Sequence, residues 1–269
     1  MNYTYLRLGD NLPTVGVLQK LLNRVGAKLN VDGIFGNKTL AAVRHFQHAH
    51  HLKPDGLVGK HTWKRITAGL VLQIVDCVDV FDTFQKEEFL RAKDYKRANE
   101  MADSNAAEAH DIRAVGGKPL VIGGMCNGVA QVVSLISTTA KEAFLLRLHG
   151  HGRAGSMGVG AGSGGPNELN RINAESIPQL RLVLGSLKGV FGPYGSVQLM
   201  GCETGRGLEG ATMLKTIASI LGVPVTAGIN FQYGGGGIPT FKFEGPTHTE
   251  VPYGQSLKDW CAALPDFPK

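Results

Sequence analysis

The sequence predicts two folds in series: a small all-α three-helix domain over residues 1–68, then an α/β domain over residues 70–269 with a mostly parallel sheet flanked by helices. Three observations predict this. Up to about residue 66, apolar residues recur at helical spacing, with Gly- and Asp-containing turns between the runs. Beyond Leu70, short apolar runs alternate with helical stretches, the pattern of strands covered on both faces. Charge divides at the same place: residues 1–70 hold ten Lys/Arg against three Asp/Glu, and residues 71–269 hold eighteen against nineteen, so the basic excess belongs to the first domain. At 43% hydrophobic and 19% charged residues, the chain can fill real cores and is not a disordered protein.

In the first domain, Leu18, Leu21, Leu22 and Val25 share one face of a helix over 12–25. A second helix runs from about Thr39 to His50 with Leu40, Val43 and Phe46 at helical spacing, and a short third spans about 61–66. The turns before these helices repeat: Asp32-Gly-Ile-Phe-Gly-Asn-Lys-Thr39 and Asp55-Gly-Leu-Val-Gly-Lys-His-Thr62 both read D-G-Φ-Φ-G-x-x-T. Glycine permits left-handed backbone there, the apolar pair plugs the core, and the threonine is expected to cap the following helix. His45, His48, His50 and His51 cluster near the end of helix two. With no carboxylate at ligand spacing, they read as a solvated helix end rather than a metal site.

The segments V-x-x-L-Q-x-x-L, D-G-x-F-G-x-x-T, A-V-x-x-F-Q and D-G-x-V-G-x-x-T-W together resemble the three-helix peptidoglycan-binding domain family over residues 6–66. That resemblance implies a wall-binding, non-catalytic module. Asp32, Phe35, Asp55 and Trp63 are its candidate wall contacts, although each aromatic is by itself a natural core residue. The basic excess suits an acidic polymer. Nucleic acid is not expected, because no RNP motif, zinc finger or recognition helix is present.

In the second domain, strands are expected at 71–80, 119–124, 143–149, 196–201, 223–228 and 239–243, with helices at about 84–101, 127–139, 175–190 and 208–221. The glycine-rich stretch 152–167 lacks the phosphate-loop pattern and reads as an active-site loop. Four dispersed cysteines form neither a disulfide framework nor a zinc ribbon. Cys77 and Cys126 read as structural, and Cys261 as packing in a C-terminal amphipathic helix.

Open parallel sheets place chemistry just past the carboxyl ends of their strands. There stand His151, after L-R-L-H-G, and Cys202, after V-Q-L-M-G and before E-T-G-R-G. A thiol needs a nearby base to act as nucleophile at neutral pH. The intervening loop, helix and strand are about what a right-handed crossover to an adjacent strand requires.

These two segments, L-R-L-H-G-H-G-R-A-G and V-Q-L-M-G-C-E-T-G, resemble the caspase-like cysteine peptidase clan of gingipains and clostripain over about residues 118–245. The resemblance implies a caspase-like fold with His151 as base and Cys202 as nucleophile. Gly152, Gly201 and His149 have supporting or oxyanion roles, and no cofactor is needed. His151 is preferred over His149 because a strand's last residue can point into the core. His149 and His151 could instead be a metal pair with His248 as a loose third ligand, but no full ligand set at a recognisable spacing accompanies them.

The expected activity is hydrolysis of an amide bond in a protein or a wall peptide. Rival readings are an L,D-transpeptidase, a zinc carboxypeptidase or amidase, and a non-catalytic wall-anchored interaction protein. The first residues lack the charged and apolar regions of a Sec leader, and no run is long enough to span a membrane. Those features lead to the expectation of an antibacterial effector, cytoplasmic before export by another route and then acting at the cell wall or in the periplasm. Such an effector would need a cognate immunity protein.

Overall fold

The computed structural model describes residues 2–80, 87, 90–94, 96, 104–122, 128–160, 169–233 and 237–268. The first segment holds three helices: α1 (Pro13–Arg24), α2 (Asn37–Ala49) and α3 (Lys60–Ile66). Proline opens α1, where its missing N–H costs no hydrogen bond.

The two repeated turns are closed by one device used twice. From α1, Gln19 Nε2 donates to Asp32 Oδ1, to the Ile34 carbonyl and to Thr39 Oγ1, and Gln19 Oε1 accepts from the Asp32 and Gly33 amides. From α2, Gln47 Nε2 makes the matching bonds to Asp55, Leu57 O and Thr62, and Gln47 Oε1 accepts from Gly56 N. The threonines are therefore not helix caps. Gly36 and Gly59 hold the cap positions, and buried Thr39 and Thr62 hydrogen-bond back to the turn carbonyls Ile34 O and Leu57 O. The helices begin earlier than expected, at Asn37 and Lys60.

The second segment is an α/β fold. Its six-stranded sheet runs β2-β1-β3-β7-β8-β9, with β1 (Gln73–Asp79), β2 (Leu120–Ile122), β3 (Ala143–His149), β7 (Phe191–Met200), β8 (Val225–Gly228) and β9 (Thr247–Glu250). All pairings are parallel except β8 with β9. A small antiparallel sheet, β4 (Gly152–Arg153), β5 (Ser156–Gly158) and β6 (Arg171–Asn173), follows β3. Among the described residues, four further helices flank the sheets: α4 (Ser104–Ala114), α5 (Gly128–Thr139), α6 (Ile177–Gly185) and α7 (Gly207–Leu221). The short α8 (Leu257–Ala262) closes the chain.

Three expectations change. The run 239–243 is not a strand: residues 238–241 form a 3-10 turn, because Pro239 lacks the amide a ladder requires. The last strand is instead the polar Thr247–Glu250. Helix α4 was not expected, its apolar positions being mostly alanine and therefore making no stripe. The expected helix at 84–101 falls largely outside the described residues, as do Cys126 and residues 161–168 of the glycine-rich stretch.

One face of the sheet is covered conventionally. Leu146, Leu148, Val197 and Leu199 pack against Val132, Ile136, Leu180, Leu214 and Ile217 of α5, α6 and α7. On the other face, Leu145 and Met200 share a buried cluster with Leu18, Leu21, Phe46 and Trp63 of the first segment. Part of the sheet is thus covered by the N-terminal helices. Cys261 of α8 lies against Gly16 of α1, where an added Cβ would sit 3.0 Å from the cysteine Cβ.

Candidate active site

The central strands β3 and β7 pair in parallel with His149 opposite Met200. Both chains therefore leave the sheet side by side, His151 from one and Cys202 from the other. His151 is exposed and Cys202 half-buried. Their backbones are pressed together: a Cβ on Gly152 would lie 2.6 Å from Cys202 O and 2.8 Å from Cys202 N. One on Gly201 would lie 3.1 Å from both Gly150 O and Gly152 Cα. Glycine at both positions allows the H-G-H-G and M-G-C segments to touch.

The Cys202 Sγ donates to the carbonyl of Gln232 at 3.2 Å and lies 3.4 Å from the Gln232 amide, which donates to it. That segment is held from behind: Gln232 Oε1 accepts from Glu244 N at 2.8 Å, and Glu203 N donates to Asn230 O. Phe231 and Tyr233 on either side are exposed. Arg153, Ser156, Glu175, Glu203, Leu208 and Glu209 border a cleft of about 740 Å³, which neither His151 nor Cys202 lines.

His149 takes a different position from His151. It is fully buried, with Nε2 3.4 Å from Asp76 Oδ1 and Nδ1 3.2 Å from Glu108 Oε2. Burial alone would lower its pKa, but the carboxylates of Glu108 and Asp76 outweigh it, and the net direction is upward. Asp76 also accepts from Arg147 Nε at 2.6 Å and from the Asn2 side chain, while Arg147 donates to the Asn2 carbonyl. Burial pushes the Asp76 carboxyl up. Arg147 and His149 more than offset this and hold it at about 2. His149 is thus a member of a buried ion cluster and does not reach the surface beside Cys202.

Sequence reading missed this cluster, yet a signal for it exists. Asp76 and Arg147 are charges inside otherwise apolar strand runs, and they face each other in register across β1 and β3.

The remaining candidates are placed as follows. Cys77 is buried in β1, where burial, then Asp76 and Asp79, push its thiol up to about 12. Cys261 is buried and also pushed up to about 12, chiefly by burial. His248 sits on β9 with Nε2 2.7 Å from Glu250 Oε1. Among the described residues, no group of three or more His, Cys, Asp or Glu could hold a metal ion.

Phe35 and Trp63 are completely buried, and the Trp63 indole donates to Thr4 O. Both build the module and cannot meet a polymer. The Asp32 and Asp55 carboxylates are engaged in closing their own turns.

The chain thus combines a three-helix module with an α/β fold that sets a histidine and a cysteine just past the ends of two adjacent parallel strands. Residues 11–66 match the family model described as a putative peptidoglycan binding domain, so the N-terminal segment is a module of this kind. An uncharacterized protein in the bpoA1 3′ region of Kitasatospora aureofaciens is 60% identical over 37 residues, covering 14% of this chain and 31% of that one. The zinc D-Ala-D-Ala carboxypeptidase of Streptomyces albus G is 31% identical over 149 residues, covering 52% of this chain and 53% of that one. A crystal structure of the Burkholderia AP3 phage endolysin matches 25% of this chain and 26% of that one at 45% identity, with a TM-score of 0.25. The chain therefore spans about half the length, or less, of the curated relatives it matches. Among the described residues, no helix is long and apolar enough to cross a membrane.

Proposed function

We propose that this chain is a cell-wall-targeted cysteine hydrolase. A peptidoglycan-binding domain over residues 1–68 would direct a caspase-like domain over 70–269 that cleaves an amide bond in wall peptide or protein. The observation that carries the reading is the pairing of β3 with β7, which delivers His151 and Cys202 from adjacent strand ends with their backbones in contact. The sheet order, parallel except for its last strand, supports the caspase-like assignment. The match at residues 11–66 and the name of the carboxypeptidase relative support the target.

In this reading His151 takes the thiol proton and the Cys202 thiolate attacks the scissile carbonyl carbon. The amide N–H of Gly152 would stabilise the oxyanion. The C–N bond breaks, the amine departs with the proton from His151, and water hydrolyses the thioester. An exported effector with a cognate immunity protein is the biological setting proposed for this chemistry.

The carboxypeptidase relative favours a second reading, a zinc peptidase. The described residues do not fit it, since none of their His, Cys, Asp and Glu form a ligand group. The two readings separate in one experiment: purified sacculi and a denatured protein are incubated with the wild type and with Cys202→Ala, and products are identified by mass spectrometry. Products from the wild type alone are expected, with both proteins sedimenting equally with sacculi. Undiminished cleavage by Cys202→Ala overturns the cysteine mechanism.

A further inference from the structure

The peptidoglycan-binding module carries a groove of about 530 Å³ where the carboxyl-terminal ends of its three helices converge. Its walls are Arg24, Val25, Phe46, His50, Arg65 and Ile66, together with Ala68. The floor is apolar and the two guanidinium groups are its only charged lining groups. Val25 is 51% exposed at the rim, a large apolar side chain on the surface that the fold does not require. Arg65 Nε donates to His50 Nδ1 at 3.2 Å, which fixes the guanidinium at the rim, and the His50 ring leans on Phe46 at 4.3 Å. Burial, then Arg65, lowers the His50 pKa, so this ring remains a neutral acceptor at neutral pH.

Another pocket of the module differs in chemistry. It measures about 220 Å³ and is lined by Asp32, Asn30, Asn37, Lys28 and Lys38 among others. Its charge is mixed, Lys28 and Lys38 against the Asp32 carboxylate, whereas the groove's charged groups are both guanidinium.

We propose that the three-helix groove is the module's wall contact and that it takes the carboxylate end of a peptidoglycan stem peptide. Arg24 and Arg65 pair with the carboxylate, a geometry that a guanidinium fork suits. Val25 at the rim, backed by the buried Phe46 and Ile66, receives the small methyl side chain beside it. The choice of peptide over glycan rests on charge and shape. The groove offers cations and aliphatic surface, whereas its aromatic ring, Phe46, is only 5% exposed and gives no flat platform for a sugar. The inference depends on the wall-targeting reading and locates its contact, replacing Asp32, Phe35, Asp55 and Trp63.

The test uses co-sedimentation of the full chain with purified sacculi. Arg24→Glu with Arg65→Glu is compared with Lys28→Glu with Lys38→Glu, which changes the net charge equally at the other pocket. Val25→Asp serves as a single-site variant, and thermal melts check that all remain folded. The groove pair is expected to weaken binding at least tenfold, Val25→Asp several-fold, and the lysine pair less than threefold. Equal losses in both pairs overturn the groove, because binding then follows net charge. Sacculi stripped of stem peptides by an amidase are expected to bind the wild type at least tenfold more weakly. Undiminished binding to the stripped glycan overturns the occupant. A wild type that fails to sediment with intact sacculi overturns the wall-targeting reading itself, and the groove with it.

Discussion

Gly152→Ala provides the most direct test of the contact between the two strand ends. The added methyl carbon would lie 2.6 Å from Cys202 O and 2.8 Å from Cys202 N, where ordinary contact begins at 3.4 Å. The Thr204 hydroxyl, closer still to the added carbon, can rotate aside, but the two Cys202 atoms are backbone and cannot. The H-G-H-G and M-G-C segments must separate by roughly 0.8 Å, and overpacking of this kind costs about 1–3 kcal/mol. A displacement of about 1 Å in a catalytic constellation can cost about 10²-fold in rate. Gly189→Ala is the matched control, since nothing lies within 4 Å of its added methyl. Product release from sacculi and thermal unfolding are the assays. Gly152→Ala should fall about a hundredfold in activity and melt several degrees lower, with Gly189→Ala near wild type. An alanine variant that keeps both activity and stability would refute the claim that these segments are in obligatory contact.

Three further outcomes follow from the site and the core. Native alkylation at pH 8, mapped by peptide mass spectrometry, should modify Cys202 well before Cys77 or Cys261. Both of those are buried, with their thiols pushed up to about 12; comparable labelling would contradict their placement. Asp76 has a folded pKa of about 2 against an unfolded value of about 3.9, so its contribution, on the order of 2 kcal/mol, is present in full above about pH 4 and disappears as pH falls toward 2. Asp76→Asn should be less stable at pH 6 and show a flatter acid limb in denaturant titrations; an unchanged limb would remove Asp76 from the linkage. Gln47→Ala strips the second turn of its shared partner and should cost about 1–3 kcal/mol, since buried groups are left unpaired. Circular dichroism melts would show this, and an unchanged melt would mean the turn closes without its glutamine.

The residues differ in how openly they announced these roles. The apolar strands β1, β3 and β7 and the duplicated turns were legible because their periodicity is set by burial, which acts on every side chain in the run. The strand-end positions of His151 and Cys202 were legible because a polar group directly after such a run marks a strand's carboxyl end. Glu108 was not, because α4 packs through alanines and its one buried acid only makes sense once His149 is beside it. Strand β9, Thr-His-Thr-Glu, carries no apolar face. It joins the sheet by backbone pairing to β8, and Thr226 and Thr249 hydrogen-bond across the pair at 2.8 Å. Gln19 and Gln47 fell in corresponding motif positions, but a glutamine on a helix ordinarily faces water. Only the turn geometry shows that these two close loops.

The cluster that joins Leu145 and Met200 of the sheet to Leu18, Phe46 and Trp63 has a mechanical consequence. A binding module on a slack tether lets its partner search a sphere whose radius the linker sets. Here only residues 67–72 lie between α3 and β1, and Leu70 and Leu72 of that stretch pack into the same cluster. The buried cluster holds the module against the sheet. In the proposed function, an occupied groove would present the thiol at a single stand-off and in a single orientation, as on a fixed gauge. The spacing of the polymer would then decide which bonds come within reach, and a looser mesh would be cut differently from a tight one.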